Sequence, residues 1–183
     1  MDLFVFKTRL RHFYPIVKEA VEVHPQRAAV LVMLYPKYNR THVLMIKRAR
    51  IMVQHGGEIA FPGGVFEEQD GDLLATALRE THEELGIEVG EFNVMGRLPQ
   101  VETLSGYDVA PFVALMEEPP VFGKVSSREV EEVLEMPLTP LLSTQQRDVG
   151  YKPSEQMFAY WFGHHRIWGA SARILHYIAQ LSS

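Results

Sequence analysis

Residues 64–87 of the chain read GVFEEQDGDLLATALRETHEELGI and contain its clearest helix signal. The spacing predicts a helix over residues 72–85, because apolar side chains recur there at intervals of three and four positions. The stripe that they form consists of Leu74, Ala77, Leu78, Thr81 and Leu85. Gly86 follows the last turn, where a left-handed C-terminal cap is common. We therefore expect the stripe to face the core and the acidic face of the helix to be presented to solvent.

Three glutamates, Glu80, Glu83 and Glu84, lie at positions i, i+3 and i+4 and so share one helix face. Like charges at i and i+4 destabilise an isolated helix by about 0.2–0.5 kcal/mol per pair. A hard divalent cation such as Mg²⁺ offsets this repulsion, since it prefers oxygen ligands. The preceding Gly63-Gly64 lets the backbone approach a ligand closely, which favours a metal site over a solvated acidic face. Arg79, four residues before Glu83, can orient a carboxylate.

The overall composition excludes several classes of protein. The chain has 183 residues, which favours one domain over residues 1–183, and a formal net charge of −5, which argues against a nucleic-acid binder. It has no cysteine, so disulfides, thiolate metal sites and thiol nucleophiles are excluded. No apolar run reaches the ~18 residues of a membrane-spanning helix, and no signal peptide is recognisable. We therefore expect a cytoplasmic protein without a membrane or nucleic-acid partner.

Apolar runs and helical periodicity divide the remaining chain into strands and helices. Residues 1–26 form a helical extension, with a helix over residues 7–22 that is interrupted or bounded near Pro15. We expect strands at 28–34, 42–46, 92–98, 109–116, 130–136 and 158–168, a helical turn at 137–142 and a last helix at 171–181. Because strands and helices are interspersed without strict alternation, we predict an α/β fold with a mixed sheet and helices on both faces.

The stretch from Gly64 to Ile87 resembles the Nudix box, whose core is a glycine, an acidic residue and then Arg-Glu-apolar-x-Glu-Glu-x-Gly-apolar. The second half matches at Arg79, Glu80, Thr81, Glu83, Glu84, Gly86 and Ile87, with Thr81 in place of an aliphatic residue. In the first half, Asp70 stands where glutamate is usual, and one extra residue separates it from Arg79. The pattern therefore leaves the role of Asp70 undefined.

The resemblance implies an α/β/α sandwich that hydrolyses a diphosphate linkage by attack of water. It also implies that Glu83 and Glu84 bind Mg²⁺ or Mn²⁺ together with the Gly64 carbonyl, that Glu80 is a further ligand or the base, and that Arg79 pairs with a carboxylate of the box. Water attack on a diphosphate needs charge neutralisation on the phosphates and a positioned water. It needs no covalent nucleophile, which suits a chain without cysteine.

A second acidic segment follows the box at Glu129 to Leu138 and resembles the Glu-Val…Pro-Leu stretch of the same family. On that resemblance Glu129 is an additional metal ligand or the general base. The alternative is a strand whose alternating glutamates point outward and whose valines point inward. The spacing does not decide whether Glu80 or Glu129 deprotonates the water.

The segment from Leu44 to Gly64 resembles the coenzyme A diphosphatase branch of the family. Arg48, Ala49, Gly57 and the run Phe61-Pro62-Gly63-Gly64 match, whereas Ile46 replaces a threonine and Val53 replaces an arginine. The loss of that arginine weakens the assignment, because its planar fork binds phosphates through two bonds. Further matches to the branch occur at 98–113 and 167–172. The candidate substrate contacts are Arg48, His55, Thr103 and Ser105.

This branch implies cleavage of coenzyme A or acyl-coenzyme A to 3′,5′-ADP and 4′-phosphopantetheine or its acyl form. The alternatives are a Nudix hydrolase of another nucleoside diphosphate derivative (a dinucleotide, an ADP-sugar or a nucleoside triphosphate), a regulatory nucleotide-binding Nudix domain, and an isomerase on the same fold. The intact set of Arg79, Glu80, Glu83 and Glu84 argues against a pure binding domain. A small-molecule diphosphate is then the partner, and a homodimer is compatible with the sequence.

Overall fold

A computed structural model describes residues 1–17, 26–52, 55–149 and 157–183. The helices in these ranges are α1 (Leu3–Phe13), α2 (Leu73–Leu85), α3 (Leu138–Ser143) and α4 (Gly169–Ser182). The strands are β1 (Arg27–Lys37), β2 (Arg40–Arg48), β3 (Ile59–Ala60), β4 (Gly63–Val65), β5 (Val94–Arg97), β6 (Val101–Glu102), β7 (Asp108–Leu115), β8 (Val130–Pro137), β9 (Gln146–Asp148), β10 (Met157–Phe162) and β11 (His165–Ile167).

The main sheet is built around β1, whose continuous apolar run is typical of a strand buried on both faces. It pairs with β2 and β4 in antiparallel fashion and with β7 in parallel. The strand order is β3-β2-β1-β7-β5, with β8 added beside β2 and β6 beside β7. The predicted mixed sheet is therefore confirmed.

Helices cover both faces of this sheet, as predicted. Alternate residues of β1 enter two different clusters of buried side chains, because successive side chains of a strand point to opposite faces. Ala29, Leu31 and Met33 pack in one cluster with Leu74 and Ala77 of α2. The other face of the sheet packs against α1, α3 and α4, and the buried side chains of that cluster include Val32, Leu34, Phe6, Leu138 and Ile174.

The helix expected over residues 72–85 is confirmed at Leu73–Leu85, and both of its ends are capped. The Asp72 carboxylate accepts a hydrogen bond of 2.8 Å from the Ala75 backbone N–H, which satisfies one of the free donors of the first turn. Gly86 ends the helix in the left-handed conformation, with φ of 65°. The orientation of this helix on the sheet fixes where its carboxylates lie.

The N-terminal helix differs from its predicted bounds. It begins at Leu3 instead of residue 7, because the Asp2 side chain accepts hydrogen bonds from the backbone N–H groups of Phe4 and Val5 and caps the first turn. It ends at Phe13, two residues before Pro15, whose ring disfavours helix at the preceding position. The part of the prediction at residues 18–22 lies outside the described residues.

The aromatic stretch 158–168 was expected as a single strand and forms two. The strands β10 and β11 pair in antiparallel fashion around Gly163, and β9 pairs with the other edge of β10. The predicted strand at 92–98 is shorter than expected, since a 3₁₀ turn occupies Glu91–Asn93. Within the described ranges, no helix is long and apolar enough to cross a membrane.

Gly63 joins β4 to the centre of the sheet in a conformation that only glycine accepts. Its φ is 155°, and a Cβ atom there would lie 2.2 Å from the Ala29 carbonyl oxygen and 2.6 Å from the Val30 Cα. These are backbone atoms of β1, which cannot rotate away as a side chain can. β4 can therefore approach β1 this closely only because residue 63 is a glycine.

We predict that Gly63→Ala lowers the free energy of unfolding by at least about 3 kcal/mol, above the range of most single substitutions. Gly71→Ala is the matched control, since Gly71 also has a positive φ of 77° but a Cβ there would meet nothing within 4 Å. The control substitution should cost about 1–3 kcal/mol, the strain of a sparsely populated positive-φ conformation without a clash. Denaturant titration of both variants checks the difference, and equal losses would contradict the close approach.

Candidate active site

Arg79 is held by Asp70 in a two-bond ion pair. Its Nε and Nη2 atoms donate to the two Asp70 carboxylate oxygens at 2.6 and 3.0 Å, and the Thr76 hydroxyl donates to the same carboxylate at 2.8 Å. Only 2% of the Asp70 side chain is exposed. Burial acts to raise the pKa of Asp70, but the bonds from Arg79, the Glu67 backbone and Thr76 lower it below its ordinary value. Asp70 is thus an ionised anchor despite the additional residue before Arg79.

The remaining donors of Arg79 gather the acidic face of α2. Its Nη1 donates to Glu80 at 2.9 Å and to Glu83 at 3.2 Å, and its Nη2 also donates to the Val65 carbonyl at 3.2 Å. The contact with Glu83 is the one that the four-residue spacing predicts. One guanidinium therefore connects β4, the turn before α2 and two of the box carboxylates.

Glu80 lies directly over the backbone of Gly64. A Cβ atom at Gly64 would be 2.3 Å from the carboxyl carbon of Glu80, so any other residue at this position would displace the carboxylate. Burial raises the pKa of Glu80, Arg79 opposes that rise, and the charges of Glu83 and Glu129 add to it. The absence of a side chain at Gly64 therefore allows the Glu80 carboxylate to lie close to the backbone of β4.

Glu84 points inward, contrary to the expectation that the whole acidic face is presented to solvent. Its residue exposure is 2%, and its carboxylate accepts a hydrogen bond of 3.0 Å from the Gly63 backbone N–H. Arg48 lies 3.7 Å from its other oxygen. Burial raises the pKa of Glu84 to about 8; Gly63 and Arg48 oppose this, and the charges of Glu80 and Glu129 add to it. Glu84 is buried because β4 and β2 cover this side of the helix.

Glu83 and Glu129 complete the group of carboxylates. Glu83 is the exposed member, with 53% of its side chain accessible. Glu129 is half-buried just before β8, and its backbone carbonyl accepts a hydrogen bond of 2.9 Å from Ala49 at the end of β2. Its charge adds to the rise in the pKa of both Glu80 and Glu84, which favours a place beside the carboxylate site.

The carboxylate oxygens of these glutamates are donors of the kind that a divalent cation prefers. Among the described residues, no three His, Cys, Asp or Glu side chains converge on a metal position; Glu80 and Glu84 contact Arg79, Arg48 and the Gly63 N–H instead. The four glutamates nevertheless offer hard oxygen donors, and two of them lie in the last turn of α2, where the helix dipole disfavours negative charge. A bound divalent cation would supply charge neutralisation and an activated water.

A cavity of about 780 Å³ opens beside the carboxylates, within the range of small-molecule sites. Gly63 and Gly64 belong to its lining as well as to the contacts with Glu84 and Glu80. The four candidate substrate contacts, Arg48, His55, Thr103 and Ser105, all line this cavity. Val53, where the resemblance leads one to expect arginine, lies outside the described residues.

A model of the NUDIX domain family matches residues 25–167 of the chain. The chain belongs to the Nudix family. As a Nudix hydrolase it acts on a diphosphate linkage, and Nudix hydrolases generally use divalent metal ions. The α/β fold with its mixed sheet agrees with this membership.

Relatives and solved structures support the same assignment. The chain is 34% identical over 180 residues to a protein of Photorhabdus laumondii named uncharacterized Nudix hydrolase NudL, covering 96% of this chain and 95% of the relative. A NudL of Enterobacter sp. is 32% identical, with 95% and 91% covered. The NUDIX domain of Shewanella oneidensis NrtR, solved with ADP ribose, superposes with a TM-score of 0.62 at 15% identity over 88% of this chain and 91% of that one. At that identity the likeness concerns the fold alone.

The structure gives a role to Asp70, which the sequence pattern left undefined, and to Glu58, which the sequence analysis did not name. Asp70 is the ion-pair partner of Arg79, a contact that its position six residues after Gly64 could have indicated. Glu58 hydrogen-bonds His55 at 3.0 Å on the cavity wall, and no pattern in the sequence points to it.

We predict that the metal-free protein loses stability as the pH rises, because of Glu84. Its pKa is about 8 in the folded chain against an ordinary 4.5, so the folded state holds more protons between those values. This contribution is fully present below pH 4.5 and is lost as the pH rises through about 8.

Glu84→Gln should remove this dependence, since glutamine does not ionise and its amide oxygen still accepts the Gly63 N–H. Denaturation midpoints of both proteins in a chelator, from pH 5 to 8.5, measure it. The two curves should separate, with the wild type falling more steeply; parallel curves would show that Glu84 is not buried in this way.

Proposed function

We propose that the protein hydrolyses the diphosphate linkage of coenzyme A or acyl-coenzyme A, with Mg²⁺ or Mn²⁺ as the cation. The products are 3′,5′-ADP and 4′-phosphopantetheine or its acyl form. Glu83 and Glu84, with the Gly64 carbonyl, are the proposed metal ligands, and Glu80 is a further ligand or the base. Glu129 is the other candidate for the base.

The observation that carries this proposal is the position of Arg48. Arg48 lines the cavity, lies 3.7 Å from Glu84, and has a buried Nε–H without a hydrogen-bond partner among the described residues. A buried donor without an acceptor costs free energy, and a phosphate oxygen is an acceptor that suits a guanidinium. Arg48 also belongs to the sequence pattern that resembles the coenzyme A branch, so both arguments favour a phosphate-bearing substrate at this point.

The neighbouring residues orient the carboxylates and bring the backbone close to them. Arg79 keeps Glu80 and Glu83 oriented through its own anchor on Asp70, so their carboxylates hold their direction without a ligand. Gly63 and Gly64 bring the backbone against Glu84 and Glu80 and leave room for a diphosphate beside them. Half-buried Glu80 and Glu129 are the groups placed to take a proton from a water molecule.

A second candidate is hydrolysis of another nucleoside diphosphate derivative, such as a dinucleotide or an ADP-sugar. Val53 favours it, because this position carries arginine in the coenzyme A pattern and valine offers no bond to a phosphate. A regulatory nucleotide-binding role is less well supported, since the box retains every carboxylate that a metal site needs.

Product analysis decides between these substrates. The protein and Mg²⁺ are incubated with coenzyme A, acyl-coenzyme A, NADH, ADP-ribose and nucleoside triphosphates, and the products are separated by chromatography. We expect 3′,5′-ADP from coenzyme A in clear excess over other turnover. A preference for ADP-ribose or NADH would replace the first candidate with the second.

Glu83→Gln should lower turnover by at least about 10–100-fold, the range caused by weakening groups around a metal ligand. The melting temperature should stay close to that of the wild type, because Glu83 is largely exposed. Glu88→Gln is the matched control, since the Glu88 side chain is 86% exposed and its ion pair is with His82, away from the carboxylates of the site. A fully active Glu83→Gln protein would refute the metal helix.

Val53→Arg should raise kcat/KM for coenzyme A by about tenfold or more, the value of a charge-assisted hydrogen bond to a phosphate. Val53→Lys should give a smaller gain, because an ammonium group cannot form the paired bonds of a guanidinium. Steady-state kinetics of the three proteins measure the effect. Equal rates would mean that this position does not face the phosphates.

A further inference from the structure

A chain of four polar side chains, here called the polar wall, lines one side of the cavity: Glu58, His55, Ser105 and Thr103. His55 Nδ1 lies 3.0 Å from Glu58 Oε2, and His55 Nε2 lies 2.8 Å from Ser105 Oγ. The Ser105 and Thr103 hydroxyl oxygens are 3.0 Å apart. The wall joins the loop between β2 and β3 to the loop between β6 and β7. None of its members takes part in the contacts of the carboxylate site.

The direction of these hydrogen bonds follows from the groups at the two ends. The Tyr107 backbone N–H donates to Thr103 Oγ1 at 2.9 Å, and an ionised Glu58 can only accept. A neutral His55 ring therefore donates from Nδ1 to Glu58 and accepts at Nε2 from Ser105, and the Thr103 hydroxyl then donates to Ser105. Glu58 thereby selects the tautomer of His55. The left-handed backbone of His55, with φ of 58°, holds its ring between the two loops.

The charges along the cavity make the wall unsuited to a phosphate. Among the described lining residues, the ionisable side chains are Arg48, His55, Glu58 and Tyr107. The Arg48 backbone N–H donates to the Glu58 carbonyl at 2.9 Å, but the Arg48 guanidinium lies 3.7 Å from Glu84. The fixed charge of the wall itself is the negative charge of Glu58. A phosphate here would be repelled and would find only acceptor oxygens, whereas an uncharged hydroxyl or amide N–H could donate to Glu58 or to the hydroxyl oxygens.

The rest of the cavity is largely apolar beside the wall. Met52, Leu104, Trp168 and Ile174 line it. A ligand that combines methyl or methylene groups with a few uncharged hydrogen-bonding groups matches both surfaces.

We propose that the polar wall recognises an uncharged, hydroxyl- or amide-bearing group attached to one phosphate of the diphosphate, with Glu58 as the positioning residue of His55. The inference rests on the proposed function. For coenzyme A the group is the pantetheine arm, and the phosphorylated nucleotide end lies away from the wall. Ser105 and His55 then determine specificity without taking part in the attack of water.

The kinetic test uses Ser105→Ala, His55→Ala and Glu58→Ala. Each should raise KM for coenzyme A by about 3- to 10-fold, the value of a lost hydrogen bond, and leave kcat within about 2-fold. Glu58→Gln should restore a near-normal KM, because its amide oxygen still accepts the His55 Nδ1–H. Glu88→Gln, which alters a His–carboxylate pair of 3.1 Å outside the cavity lining, should leave both constants unchanged.

Inhibition by the two halves of the substrate identifies which one meets the wall. Free pantetheine should inhibit the wild type competitively and should inhibit Ser105→Ala and Glu58→Ala several-fold less well. Inhibition by 3′,5′-ADP should be the same in all proteins. The inference is overturned if the variants weaken inhibition by 3′,5′-ADP instead, or if they lower kcat at constant KM. It is also overturned if neither KM nor the inhibition constants change.

The failure of the proposed function gives a different result. A wild-type protein that cleaves ADP-ribose and releases no 3′,5′-ADP from coenzyme A would refute the coenzyme A substrate. The wall is then tested by the KM of the same variants for ADP-ribose, whose terminal ribose is the uncharged hydroxyl-bearing group. An unchanged KM there refutes the wall, and a protein that cleaves nothing refutes both.

Discussion

The two-bond ion pair between Arg79 and Asp70 is the interaction on which the carboxylate site depends. It is buried at the Asp70 end, so removing Arg79 would leave a buried carboxylate without compensation, a costly change in a protein interior. Because Asp70 fixes the guanidinium plane, the remaining Arg79 donors have a defined direction toward Glu80, Glu83 and the Val65 carbonyl. A lysine could neutralise charge here but could not make all of these bonds.

The site holds more negative charge than its own cations balance, and its construction explains how that charge is tolerated. Without a cation Glu84 keeps its proton up to a pH of about 8, because burial raises its pKa to that value, while Glu83 remains in contact with water. The close approach of Glu80 to Gly64 brings the helix and β4 together at the edge of the cavity. A divalent cation and an anionic diphosphate are complementary to this arrangement, since each compensates the charge of the other.

Much of the fold could be predicted from local patterns. The apolar stripe predicted α2 to within one residue, and the continuous apolar run at 28–34 predicted a strand that the structure shows at Arg27–Lys37. The N-terminal helix was misplaced, because a cap at Asp2 is a short-range signal that the apolar periodicity does not contain. Glu84 was expected at the surface for a related reason, since periodicity describes one helix and not the strands that cover it.

By itself, the sequence determined the family, the helix that carries the carboxylates and the contact of Arg79 with Glu83, because these depend on fixed spacing along one segment. Only the tertiary structure decided which segments meet. Arg48 reaches Glu84, and His55 reaches Ser105 across 50 positions of the chain, because the pairing of β2, β3 and β7 with their neighbours brings their loops to one cavity. The burial of Glu84 has the same origin, since it is set by packing between distant segments and no local pattern of residues encodes it.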